Sequence, residues 1–393
     1  MAGVLEGVRV LDMGRYIAGP LCGALLGDLG AEVIRIERVG GGEDRTQFPT
    51  SGDSGANFLA YNRNKLGMTL DPGSAQGREV MKRLIGSADI LVVNLPLPSL
   101  VSLGLDYDSL KAIKPDFILV HTSAFGNDGP YAERVGFDGI GQAMCGATYL
   151  SGHPNEPMKY AAAWVDNMTA VYNAMGALAA LLHKRATGEG MKVETNLLRS
   201  ALNVGNGFLV EQAITGIDRK ATGNRLQAGG PGDIVQTKDG WILVQVVSDG
   251  LFRRWCKLVG VENWVADPRF ANDGLRGGPN GELLSEKTRE WAARLTTKEA
   301  LDALAAAKVP GGAVLSPQQA LDDPHIRATQ MLRETVYPGI DTPVPIAESG
   351  ARLGGEPAVL TRAPTIGEHT DQILTALGYS AAEIADLRAA GVC

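Results

Sequence analysis

Residues 7–37 read GVRVLDM (7–13), GRYIAGP (14–20) and LCGALLGDLGAEVIRIE (21–37). The run predicts a strand, a loop bearing Gly and Pro, a helix of small residues and a second strand, which is how a parallel α/β unit begins. Pro20 suits the first helical position and Gly30 the left-handed residue that ends the helix. In such folds ligands gather in the loop beyond a strand's carboxyl end, here Arg15 to Gly19, where helix amides can meet phosphate. No G-x-G-x-x-G lies between Leu11 and Leu21, and the chain holds no G-x-x-x-x-G-K-[ST] phosphate loop.

Outward from this start, Val80, Met81, Leu84 and Ile85 recur at helical spacing, and Ile90 to Val93 and Phe117 to Val120 read as buried parallel strands. The α/β unit is therefore expected to reach about residue 125. Beyond the turns of FGNDGPY come a helix from Asp138 to Gly146, a long apolar helix from Asn167 to Lys184 stopped by Gly188, and a helix from Ala201 to Ile214. The Gly-rich tract ATGNRLQAGGPGD (221–233) then leads into the strand DGWILVQVV (239–247), which marks a domain boundary near residue 220. Short helices fill Leu251 to Ala307, VPGGAVLS (309–316) is turn and strand, Leu332 to Leu353 has β character, and two helices flank Gly378.

With 393 residues, 45% of them hydrophobic, the chain can bury a large core and has length enough for two or three units. A net charge of −7 with scattered Lys and Arg argues against nucleic acid, whose binding needs a basic stripe. The first residues lack a basic-then-apolar leader, and the apolar stretch around Ala174 to Leu182 is broken by Asn173, Gly176 and His183, so a cytoplasmic protein without membrane or nucleic-acid partners is expected. Cys22, Cys145, Cys256 and Cys393 are far apart and the five histidines lack ligand spacing, so neither a disulfide framework nor a metal site is expected.

Asp166, in AAAWVDNMTAVYNAMGALAALL (161–182), is the chemical residue that stands apart. It can cap the helix that follows. It can also be a carboxylate nucleophile on a loop, kept ionised by the helix dipole, and the two roles are compatible. Asp138, in GFDGIGQAM (136–144), sits in a Gly-flanked turn, where Asp is more often structural. Arg38, Arg45, Arg63 and Lys65 are each weak signals, but at strand ends they could form one anion site. The Gly229–Gly232 loop could close over a ligand or be a plain turn.

The combination of GVRVLDMGRYIAGP, GDLGAEVIRIE, YNRNK (61–65) before TLD, LGLDYDSLKAIKP (103–115), the Asp166 segment and APTIGEHT (363–370) resembles the class III CoA-transferase family, over nearly the whole chain. Formyl-CoA transferases, carnitine CoA-transferases and α-methylacyl-CoA racemases are branches of that superfamily. The resemblance implies an α/β protein with a Rossmann-like large domain formed by both termini, a smaller α+β domain and an interlinked homodimer. On this chain the large domain would be residues 1–200 and 325–393, the small one 225–320, and 201–224 and 321–324 linkers.

By the same resemblance Asp166 is the catalytic aspartate, attacking an acyl-CoA carbonyl to give a mixed anhydride and then an aspartyl-CoA thioester. The partners are an acyl-CoA and a small carboxylic acid, with CoA thioester as substrate and no prosthetic group. Tyr16, Ile17 and Ala18 would lie beside the pantetheine end, Arg38 would bind phosphate, and Leu70, Asn94 and Leu95 would surround the adenosine. Ile17, Phe137, Tyr149 and the Gly229 loop would lie near the acyl group, Asp138 would count among the cofactor-binding residues, and the amides of the Gly229–Gly232 loop, Gly229 and Gly230 among them, would stabilise the oxyanion. Formyl-CoA transferase carries basic residues at the positions of Gly73 and Ser102 and a Gln at that of Ile17. Arg63, Arg134 or Lys111 could compensate for the lost cations, and the apolar Ile17 points away from formate or oxalate toward a moderately apolar acyl group. α-Methylacyl-CoA racemases use a His and an Asp as paired bases; Phe137 stands at the place of the His and cannot accept a proton. A CoA-binding protein without catalysis is the other reading, and the presence of aspartate at 166 weighs against it.

Overall fold

The computed structural model describes residues 3–47, 50–51, 54–355, 357 and 359–393. It divides into two compact units: Met1–Cys145 with Tyr160–Gly207 and His325–Cys393, and Gly146–Lys159 with Phe208–Pro324.

The first unit is built on six strands: β1 (Arg9–Asp12), β2 (Glu32–Glu37), β3 (Lys65–Thr69), β4 (Ile90–Val93), β5 (Ile118–Ser123) and β6 (Lys192–Asn196). They are parallel, in spatial order β3-β2-β1-β4-β5-β6. Leu11 lies between Ile34 on one side and Leu91 on the other. This is the doubly wound order whose direction reverses between β1 and β4, so a crevice opens beyond their carboxyl ends. The alternation of strand side chains explains why runs such as ILVV are apolar throughout, because both faces are covered. On one face Leu11, Ile34, Met68, Leu91, Val93 and Leu119 pack with residues that include Val80, Met81, Leu84 and Ile85 of one helix, and Ile373, Leu374, Ile384 and Leu387 near the C-terminus. On the other, Val10, Val33, Ile90, Val92, Ile118 and Val120 meet Leu21, Cys22 and Leu26, together with Ala170, Ala174, Ala177 and Ala180.

The helices of this unit that matter for the site are α1 (Ala18–Asp28), α2 (Ala75–Ser87), α3 (Asp138–Met144), α4 (Trp164–Thr187) and α5 (Leu197–Thr215), the last running into the second unit. The Ala stripe at positions 170, 174, 177 and 180 gives α4 a side-chain-poor face that lies against the sheet and α1. Pro20 occupies the third helical position of α1 rather than the first, still within the turn whose N–H groups lack intrahelical partners. Gly30 adopts φ +97°, as its place after the helix requires, and a Cβ there would lie 2.6 Å from Gly3 Cα. The expected helices and strands of the C-terminal region form as a hairpin of Leu332–Thr335 with Val344–Ala347 and helices Thr370–Ala376 and Ala381–Ala389. No helix among the described residues is long and apolar enough to cross a membrane.

The second unit holds an antiparallel sheet of β7 (Gly232–Gln236), β8 (Trp241–Gln245) and β9 (Gly311–Ala313), in that order. Val235, Ile242 and Val244 pack with Phe252, Trp255 and Phe270 as its core. Segment 146–159, expected in the large domain, belongs to this smaller unit. Its short strands Gly152–His153 and Glu156–Pro157 pair with each other, Gly223 N–H donates to Gly152 O at 2.7 Å, and Lys220 Nζ donates to the Tyr149 hydroxyl at 2.5 Å. The expected linker 201–224 is largely α5, which begins at Leu197 because the Asn196 side chain accepts Arg199 N–H at 2.7 Å.

Candidate active site

The loop after β1 is held from several directions. Asp12 Oδ1 accepts Gly14 N–H at 2.8 Å and the buried Arg35 guanidinium donates to Gly14 O. The Asn94 side chain, at the end of β4, accepts Arg15 N–H at 2.7 Å and donates to Arg15 O at 2.9 Å. Both ends of that amide engage the loop, so Asn94 clamps Arg15 from the end of β4. A Cβ on Gly14 would lie 2.7 Å from Gly19 Cα, so the loop folds back directly on the first turn of α1. At its apex Tyr16 takes φ +64°, an uncommon state for a side-chain-bearing residue, and Ile17 and Ala18 are buried behind it.

The Tyr16 ring meets the Phe137 ring edge-on, with centroids 5.6 Å apart. Phe137 immediately precedes α3 and is exposed. The next residue, Asp138, reaches the start of α4: its Oδ1 accepts the N–H groups of Val165, at 2.8 Å, and Asp166, at 3.1 Å. Gln142, one turn along, donates to Asp138 Oδ2 at 2.5 Å and accepts Tyr160 N–H at 2.9 Å. The helix cap expected of Asp166 is thus supplied by Asp138 from another helix, and Asp166 is the third residue of α4. Its own carboxylate is half-buried, and no hydrogen bond or ion pair among the described residues engages it. Burial first, and the nearby Asp138 charge second, push its pKa up to about 7. Desolvation and the like charge of Asp138 thus act against the ionisation expected from the helix dipole.

Beyond the carboxyl ends of β1 to β4 lies an open cleft of about 110 Å³. Met13, Ile36, Leu70, Leu95 and Leu103 give it apolar walls, and Arg38 is exposed at its edge. Of the residues expected around CoA, the structure brings Arg38, Leu70 and Leu95 into one cleft, with Asn94 beneath the adjoining loop. The shared anion site expected from four cations does not form. Arg45 is buried, with Nη2 2.7 Å from Glu37; Arg63 pairs with Asp28 at 2.6 Å; and Lys65 Nζ donates to Asp12 and to Pro20 O, each at 2.7 Å. Arg63 is therefore unavailable as a compensating cation, and Arg134 lies over the Tyr131 ring. Gly229 and Gly230 belong to the smaller unit and are buried there; a Cβ on Gly230 would lie 2.9 Å from Arg276 O. Among the described residues no cluster of His, Cys, Asp and Glu could hold a metal ion.

The sequence reading missed the buried charges under the loop. Arg35 and Glu37 interrupt an otherwise apolar strand, and Asp12 ends another, which is a signal that internal ion pairs are required. Arg15 was expected only as the start of a ligand-binding loop, and its side chain lines the cleft.

Comparison with known proteins gives this arrangement its class. Residues 5–370 match the model of CoA-transferase family III, and the chain belongs to that family of enzymes. It is 31% identical over 391 residues to succinyl-CoA–D-citramalate CoA-transferase of Chloroflexus aurantiacus, with 98% of this chain and 97% of the relative covered. It is 32% identical to succinate–glutarate CoA-transferase of Agrobacterium fabrum, with 95% of each covered. The crystal structure of a CAIB/BAIF family protein from Brucella suis matches with a TM-score of 0.84 at 31% identity, covering 96% of this chain and all of the other.

Proposed function

We propose that the enzyme transfers CoA between an acyl-CoA thioester and a free carboxylate through covalent intermediates on Asp166. The observation that carries this reading is the Asp166 carboxylate itself, half-buried, unpaired and near neutrality in pKa, where other buried carboxylates of the unit, Asp12, Glu37 and Asp44, are tied to cations. An Asp166 oxygen attacks the thioester carbonyl, the C–S bond breaks, and CoA leaves as thiolate with the electron pair, giving a mixed anhydride. Thiolate then attacks the aspartyl carbonyl and releases the first acid as its carboxylate. The second acid's carboxylate attacks the resulting aspartyl-CoA thioester and expels the thiolate, giving a second mixed anhydride, and attack of that thiolate on the acyl carbonyl returns the Asp166 carboxylate and forms the new acyl-CoA. Because carboxylate is a weak nucleophile, holding the reactants in place must supply much of the rate, and orientation of this kind is worth about 7–11 kcal/mol. In this reading Tyr16, Ile17 and Ala18 flank the thioester, Arg38 binds phosphate, Leu70 and Leu95 line the adenosine, and Phe137 and Asp138 frame the acyl site.

The names of the relatives make succinyl-CoA the donor and a four- or five-carbon diacid the acceptor to expect. Ile17 suits the methylene stem of such an acid, whereas formate and oxalate offer it nothing apolar. Incubation with succinyl-CoA and separate glutarate, citramalate, malate and oxalate, followed by mass detection of new thioesters, is expected to show diacid transfer; a preference for formate or oxalate would refute this specificity. Racemase activity is disfavoured by Phe137, and wash-in of solvent deuterium beside the thioester without transfer would reverse that ranking. A cytoplasmic homodimer of interlinked chains belongs to the same reading. It is supported by the apolar side chains that α4 and α5 leave exposed, among them Met175, Leu182, Phe208 and Ile214, and a stable monomer in sedimentation would count against it.

The pH profile follows from the pKa. The nucleophile is the ionised form, so kcat/KM is expected to rise as pH passes upward through about 7. Asp138→Asn retains the amide acceptor for the α4 cap but removes the like charge, so the rise should move to lower pH. A profile unchanged by Asp138→Asn would show that burial alone sets the Asp166 pKa.

A further inference from the structure

The cleft beyond β1 and β2 is lined by Arg15, Arg35, Arg38, Glu37, Glu43 and Asp44 among its charged residues. Three of these are paired within the protein: Arg35 bonds Asp44 at 2.7 Å and Gly14 O, and Glu37 bonds Arg45. Arg38, Arg15 and Glu43 remain nearer the solvent. Arg38 Nε donates to Gly41 O at 2.8 Å, and Arg15 Nη1 lies 2.9 Å from Glu43 Oε1, with side chains 49% and 33% exposed. The Arg15 backbone is clamped at both its N–H and its carbonyl by Asn94, so its guanidinium can swing while its Cα stays in place. An exposed ion pair is a weak tie, whereas a guanidinium meets a phosphate with two parallel, charge-assisted hydrogen bonds. Exchange of the carboxylate for a phosphate is therefore favourable and needs no backbone movement.

We propose that Arg15 is a second phosphate-binding cation of the cleft, latched to Glu43 until a phosphorylated ligand displaces that carboxylate. The inference rests on the CoA-transferase reading for the identity of the ligand, a nucleotide bearing a diphosphate and a 3′-phosphate. It assigns Arg15 a direct contact and Glu43 the role of competitor. It also supplies a cation for a cleft lined by Pro72 and Leu103, whose sequence neighbours Gly73 and Ser102 carry none.

The test is calorimetric titration of the full-length protein with CoA and with dephospho-CoA. Arg15→Gln is expected to weaken CoA about tenfold, the loss of one charge-assisted pair. Glu43→Gln is expected to tighten CoA by about threefold, and only while Arg15 is present. A loss in Arg15→Gln that persists with dephospho-CoA assigns the contact to the diphosphate, and a loss confined to CoA assigns it to the 3′-phosphate. If wild type binds CoA and Arg15→Gln binds it equally well, the inference fails and the transferase reading stands. If Glu43→Gln tightens CoA to the same extent without Arg15, the latch fails, since the effect is then one of overall charge. A folded wild-type protein that binds no CoA overturns both the inference and the reading beneath it.

Discussion

Asp166→Ala is expected to lower transfer by about ten-thousand-fold or more, the scale on which loss of a covalent nucleophile is felt. Asp138 is committed to the N–H groups of Val165 and Asp166 and to Gln142, and other buried carboxylates of the same unit are locked in ion pairs with Arg35, Arg45 and Lys65. Hydroxylamine trapping during turnover should mark Asp166 in the wild type and leave the variant unmarked. Asp166→Asn should lose activity to a similar degree yet gain stability. The folded pKa of about 7 exceeds the ordinary 3.8, so the folded state is penalised for carrying this charge, fully above pH 7 and not at all below about pH 4. At about 1.4 kcal/mol per pKa unit, the asparagine should stabilise by about 2–4 kcal/mol at pH 8 and by nothing near pH 4. Thermal denaturation at the two pH values checks the sign, and an Asp166→Asn protein that is both active and unmarked would remove Asp166 from the mechanism.

The sheet was legible because its strands announce themselves. GVRVLDM, ILVV and FILV are apolar runs bounded by turn residues, and a sheet covered on both faces needs such runs. The position of Asp166 was legible only in part. An aspartate at the start of a helix invites the role of cap, and nothing in the local sequence says that Asp138, twenty-eight positions earlier, reaches across to take it. The cation cluster failed for a related reason. Arg45, Arg63 and Lys65 look alike as surface charges in one dimension, and their burial depends on Glu37, Asp28 and Asp12 being brought opposite them by the fold. The hold of Asn94 on the Arg15 loop was not legible, because the two residues are seventy-nine positions apart and only the fold brings them together.

Removal of the Asp12 carboxylate should have the largest effect on stability. Asp12 is fully buried; its Oδ2 accepts from Lys65 Nζ at 2.7 Å, and its Oδ1 holds Gly14 N–H and lies 3.6 Å from Arg35 Nη1. Asp12→Ala leaves two buried cations short of their counter-charge, which typically costs about 3–5 kcal/mol. Burial already lowers the Lys65 pKa to about 8 from an ordinary 10.5. A lowered lysine pKa penalises the folded state fully below the folded value, and the penalty fades as pH rises from about 8 toward 10.5. Without Asp12 the pKa should fall further, so the deficit of Asp12→Ala should be greatest near pH 7 and shrink as Lys65 loses its proton. Adding Lys65→Met should recover part of the loss, since it removes the stranded ammonium. Urea denaturation of the single and double variants at pH 7 and pH 9.5 measures both effects. Equal deficits at the two pH values, with no recovery from Lys65→Met, would mean that the loss comes from the released Gly14 N–H and the loosened loop. In either case the Tyr16 loop is expected to lose its anchor, so on the proposed function KM for acyl-CoA should rise with the loss of stability, because the same carboxylate holds the sheet's central charge and the Gly14 N–H of that loop.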